Sequence, residues 1–129
     1  MPKHEFEIEN EKIQVVIDDN LILFFGDTLN FFPCDWNEEG NHKEGLNYYG
    51  YTLINADNLT NFIEIIKGWL QIIKTFPEEF DLTTGVDVEK DEYDKEKFKK
   101  ENVINQLESL RDMCIKAKDT HRTIKHIGI

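Results

Sequence analysis

The sequence predicts a single α+β domain, in which an antiparallel sheet of about four to five strands packs against two main helices. Three observations point there. The N-terminal stretch alternates apolar and polar residues with period two. Two later stretches repeat apolar residues at helical spacing. A length of 129 residues, 12% of them aromatic, suits one ordered core rather than a disordered chain or a pair of domains.

The first strand is expected over 4–9. In "EFEIENE", Phe6 and Ile8 face one way and Glu5, Glu7, Glu9 and Glu11 the other. That glutamate row suits a guarded sheet edge, or a recognition surface. A turn at Asn10–Glu11 leads into a second strand over 12–18, with Ile13, Val15 and Ile17 in phase. Asp18, Asp19 and Asn20 supply another turn. The apolar run "LILFF" then predicts a third strand over 21–26, covered on both faces and ended by Gly26 and Asp27. Together the three make a meander.

An irregular segment follows, and "LNYYGYTLI" predicts a fourth strand over 46–54, with Gly50 marking a bulge or a close backbone approach. Asp57 or Asn58 can cap a helix over 58–76. Its stripe is Leu59, Phe62, Ile63, Ile66, Trp69, Leu70 and Ile73, and Pro77 stops it. The narrow polar strip implies cover from two sides. The connector holds a short strand at Phe80–Leu82 or at Val86–Val88. Asp94 can cap a second helix over 94–118, with Val103, Leu107, Leu110, Cys114 and Ala117 as its stripe. Phe98 lies off that stripe. The tail "RTIKHIGI" adds a short C-terminal strand at an edge, or docks on the core.

Charge narrows the function classes. Residues 1–66 carry 13 acids and 3 lysines, a net −10, whereas 67–129 carry 13 acids and 12 basic residues, a net −1. Such a field repels nucleic acid and anionic lipid and attracts a basic partner. No signal peptide is expected, because Met1-Pro2-Lys3-His4 leads straight into the acidic strand; no membrane span is expected either. Cys34 and Cys114, 80 positions apart, read as reduced thiols in a cytoplasmic protein, with a disulfide as the alternative.

Catalytic and cofactor motifs are missing. The seven glycines form neither GxGxxG nor GxxxxGK[ST]. Asp87, Glu89 and Asp91 imitate the start of a calcium loop, but Glu92 stands where glycine is required and Phe98 where the twelfth-position glutamate belongs. His121 and His126 are five apart, off one helical face, and are expected as exposed tail residues. No metal and no cofactor are expected. The one nucleophile candidate is Cys34, beside Asp35 and eight residues before His42.

What remains is an interface constellation: Asp27, Asp35, Trp36, Glu38, Glu39, Glu44, Tyr49 and Tyr51, with Tyr48 beside them. Carboxylates meet Arg or Lys, and aromatic anchors supply desolvated contact area. Those same rings could instead fill a small core under the loop.

Acidity, size, an N-terminal meander, amphipathic helices and the lack of catalytic motifs resemble small bacterial immunity proteins of contact-dependent growth inhibition and related polymorphic toxin systems. The resemblance implies a cytoplasmic, non-enzymatic protein that occludes a cognate basic toxin domain of nuclease type with acidic side chains. The partner would be protein, with no nucleic acid and no membrane. Two other classes stand beside it: an acidic adaptor or DNA mimic, and a small cysteine hydrolase using Cys34.

Overall fold

The computed structural model describes residues 2–36 and 42–129. An antiparallel six-stranded sheet has the order β2-β1-β8-β5-β3-β4. Its strands are β1 (Lys3–Ile8), β2 (Gln14–Asp18), β3 (Pro33–Asp35), β4 (His42–Glu44), β5 (Tyr51–Ile54) and β8 (Ile124–Ile127). One face is covered by helices α1 (Asp19–Phe24), α2 (Ala56–Lys74) and α3 (Lys100–Asp119). Strands β6 (Glu79–Asp87) and β7 (Glu92–Lys99) form a separate two-stranded hairpin. Among the described residues no helix is long and apolar enough to cross a membrane.

Period-two alternation selects the covered face. Phe6, Ile8, Ile17, Cys34, Ile54 and Ile124 are buried, while Glu5, Glu7, Tyr51, Leu53, Lys125 and Ile127 stay partly solvated on the other face. All seven predicted stripe residues of α2 are buried, and so are the five of α3. Asn55 caps α2, its side chain accepting from the Asn58 amide at 3.2 Å. Trp69 stacks on Phe25 at 4.6 Å, and its indole N–H donates to Thr28 Oγ1 at 2.8 Å, so the large ring is buried without an orphaned donor.

Four expectations change. Residues 21–26 are not a strand: Asp18 accepts from the Asn20 amide at 2.9 Å and caps α1. A continuous apolar run fits helix as well as strand, and here Leu21, Ile22 and Phe25 turn inward while Leu23 and Phe24 turn out. The strand expected over 46–54 shortens to Tyr51–Ile54, because 47–50 fold as a turn closed by the Gly50 amide on Asn47 O at 3.4 Å.

Residues 94–99 leave the predicted second helix for β7, where Phe98 lies opposite Phe80 with the rings 5.9 Å apart. That contact accounts for Phe98, and one long strand, β6, takes in Phe80–Leu82 and runs on through Val86 to Asp87, leaving Val88 in the turn. The C-terminal strand is internal rather than peripheral, paired with β1 on one side and β5 on the other. It covers the outer side of β1, and with residues 21–26 helical the sheet edge falls to β2 and not to the glutamate-bearing β1.

Candidate functional site

The least expected feature is a chain of buried polar side chains. His4 Nδ1 lies 2.8 Å from His126 Nε2, and His4 Nε2 lies 2.8 Å from Asp19 Oδ1. Tyr48 donates its hydroxyl to the same Asp19 oxygen at 2.6 Å. At the other end His126 Nδ1 lies 3.3 Å from Thr52 Oγ1, which accepts from the Asn47 amide at 2.7 Å. His4, His126 and Thr52 are 0% exposed. The tail histidine expected in solvent is thus at the centre of the molecule, while His121 is exposed.

Hydrogen-bond accounting closes this chain with one assignment of the ring protons. Thr52 donates to His126 Nδ1, His126 Nε2–H donates to His4 Nδ1, and His4 Nε2–H donates to Asp19. Every inner donor then meets an acceptor, as burial demands. Burial, followed by the neighbouring His4, depresses His126 to about 3. Burial and the Asp19 carboxylate push the Tyr48 hydroxyl far above its ordinary value. A cavity of about 220 Å³ lies over His4, walled by Leu29, Trp36, Leu46 and Tyr48. The polar atoms of His4 and Tyr48 are used by the chain, and Glu44 also lines the cavity.

The cysteines are equally inward. Cys34 and Cys114 are both buried thiols. Cys34 donates to Gly45 O at 2.7 Å. Burial, opposed by a hydrogen bond from Trp36 and reinforced by the Asp35 charge, raises its pKa from 9.0 to about 11. Burial alone drives Cys114 higher still. In strand register His42 lies opposite Asp35, and Lys43 opposite Cys34. Two units of pKa leave about 100-fold less thiolate at neutral pH, so maleimide labelling of Cys34 should be at least roughly that much slower than for a peptide thiol. Labelling at the peptide rate would overturn this placement.

The predicted interface residues divide among three places. Asp35 and Tyr51 lie on the open face of the sheet, where Asp35 is the register partner of Leu53 and Tyr51 of Ile127. Lys125 Nζ sits 4.9 Å above the Tyr51 ring. Glu44 is exposed on β4, opposite Pro33. Trp36 is instead half-buried against the core, its N–H on Gly45 O at 2.8 Å. Tyr49 is 80% exposed beside Tyr48, and Asp27 is exposed on the single 3-10 turn Gly26–Leu29. Glu38 and Glu39 lie outside the described residues.

The open face also brings in residues outside the predicted set. Pairing puts Val16, Glu5, Ile127 and Tyr51 in one row across four strands. Gln14, Glu7, Lys125, Leu53 and Asp35 form the next. The alternating glutamates were visible in the sequence, but the C-terminal strand that completes the rows was not placed. A cavity of about 630 Å³ between β2 and α3 contains Glu11 and Asp112. Glu11 is bridged by Lys116 and Arg122, and its pKa is lowered first by the Lys116 hydrogen bond; Asp112 meets Arg111 at 3.0 Å. Among the described residues no cluster of His, Cys, Asp and Glu has the geometry of a metal site. No protein-family model, curated protein or solved structure matches the chain.

Proposed function

We propose that the chain is a non-catalytic, stoichiometric inhibitor that covers a basic protein partner, a toxin domain of nuclease type, as the bacterial immunity proteins it resembles do. The observation that carries this reading is the face of the sheet that no described helix covers. Tyr51, Leu53, Ile127 and Val16 expose apolar area there, interleaved with Glu5, Glu7 and Lys125, with Asp35 at the end of one row. Apolar anchors interleaved with two glutamates suit a partner that carries Arg and Lys. A DNA mimic would present carboxylates more uniformly than this mixed surface does. Two inward-facing thiols and a fully engaged histidine pair weigh against hydrolysis. The reading places the protein's action in the cytoplasm, beside the toxin's own producer.

The test uses the protein domain encoded immediately upstream of this chain. It should copurify one-to-one with the chain, and coexpression should rescue cells from it. Reversing Glu5 and Glu7 to lysine should weaken the complex by roughly 10- to 100-fold while the circular dichroism stays unchanged. Absence of any complex removes the reading. A complex that tolerates the double reversal moves the contact elsewhere, with Glu38→Lys plus Glu39→Lys as the next variant.

A further inference from the structure

We infer that the β6–β7 hairpin is an insertion arm, whose distal half, residues 83–94, enters a basic cleft of a protein partner and buries Val86, Val88 and Tyr93 there. Its base belongs to the core. Phe80 and Leu82 are buried, and Phe80 meets Phe76 edge-on at 4.9 Å. Lys100 closes the base, its amide on Glu78 O at 2.8 Å and its ammonium on Phe76 O at 3.0 Å. Asn20 of α1 adds a hydrogen bond to Glu96.

Beyond Leu82 the support ends. None of residues 83–95 is buried. The ladder nevertheless continues past an irregularity at Thr83/Gly85, through Gly85↔Asp94, Val86↔Tyr93 and Asp87↔Glu92. A two-stranded ribbon without a covered face is marginal in water. Val86 is 59% exposed, Tyr93 66% and Val88 85%, in a strand pair built from residue types that stabilise sheets when packed. Apolar side chains gathered on a projecting element mark an interaction surface. A narrow convex ribbon fits a cleft better than a flat surface.

Charge identifies the partner's chemistry. Residues 86–94 hold Asp87, Glu89, Asp91, Glu92 and Asp94 against Lys90 alone, a net −4. Among the described residues no ion pair neutralises these five; Asp87 instead receives the Glu89 and Lys90 amides of the turn. The lysines of β7 stand nearer the base, where Lys97 meets Glu79 at 3.8 Å. The tip therefore repels nucleic acid and complements a cleft lined with Arg or Lys around an apolar floor.

This rests on the reading that the partner is a basic protein, and it adds a contact separate from the open sheet face. The experiment titrates the upstream-encoded domain with three forms of the chain: wild type, Val88→Ser with Tyr93→Ser, and Glu89→Lys with Glu92→Lys. All four substituted positions are exposed, so the melting temperature should hold. Each double variant should weaken binding by roughly 30-fold or more, as loss of central anchors does. Wild-type binding with both variants equally tight overturns the arm and leaves the inhibitor reading standing. No binding by the wild type overturns both.

Discussion

Between pH 6.5 and 4, unfolding free energy should fall by about 1.4 kcal/mol for each pH unit through His126 alone. In the fold His126 is held neutral down to about 3, against 6.5 for an ordinary imidazole, first by burial and then by His4. Inside that window the unfolded chain binds a proton that the native state refuses. The stabilisation is therefore complete above pH 6.5 and is lost as pH drops toward 3. At pH 4.5 the loss is roughly 2 to 3 kcal/mol, a large part of the margin of a domain this size. The groups facing His126 sharpen the effect, because His4 comes from β1, Thr52 from β5 and Phe6 packs against the ring. Acidification also relieves the repulsion of a chain at −11, which works in the opposite direction and should flatten the profile below pH 5. Urea titrations across pH, compared with His126→Leu, isolate the histidine. In the variant the slope between pH 6.5 and 4.5 should drop by about one proton. A native-state ring resonance of His126 titrating near pH 6 would refute the account.

Replacing His4 by leucine should cost about 3 kcal/mol, because it leaves a buried carboxylate and a buried ring N–H each short of a hydrogen-bond partner. His4 is the middle link, with Asp19 on one nitrogen at 2.8 Å and His126 on the other at 2.8 Å. Without it Asp19, 7% exposed, keeps only the Tyr48 hydroxyl, and His126 Nε2–H loses its acceptor. Leucine also offers no route for water to replace those bonds. Removing both rings, His4→Leu with His126→Leu, should cost less than the sum of the two single changes, since the second deletion no longer orphans a partner. A His4→Leu loss below about 1 kcal/mol, or strict additivity, would mean that the chain contributes little beyond packing.

These two predictions concern what the sequence concealed. His4 and His126 are 122 positions apart, and no local pattern can pair residues on strands whose neighbours are unknown. One hint was present: in Ile124-Lys125-His126-Ile127, period two puts His126 beside Ile124 on one face. The long helices were legible because seven and five apolar residues repeat with one phase over four or five turns. "LILFF" was not, because five apolar residues satisfy either period, although Asp18-Asp19-Asn20 ahead of it is a helix-start signature. The hairpin was obscured by its charges. Lys95, Lys97 and Lys99 alternate as a strand requires, but all are polar, so no apolar face announces the period. Of the predicted interface, Asp35 and Tyr51 share the open face, whereas Trp36 was drawn inward by its bond to Gly45 O. Residue type alone does not say which way an indole turns just past the end of a strand.

The internal position of β8 governs how the chain assembles. Among the described residues, the ladder of β2 and β1 on one side joins that of β5, β3 and β4 on the other through Ile124–Ile127. As the polypeptide emerges from the ribosome, two sheet fragments and both long helices are made before the strand that joins them. Until it arrives, β1 and β5 each present an unsatisfied ladder, and the pairing with β1 draws together segments more than a hundred residues apart. Assembly is therefore non-local and late, on the slower side for a domain of this length. A nascent chain stalled before residue 120 would carry two sticky fragments rather than a partly finished fold.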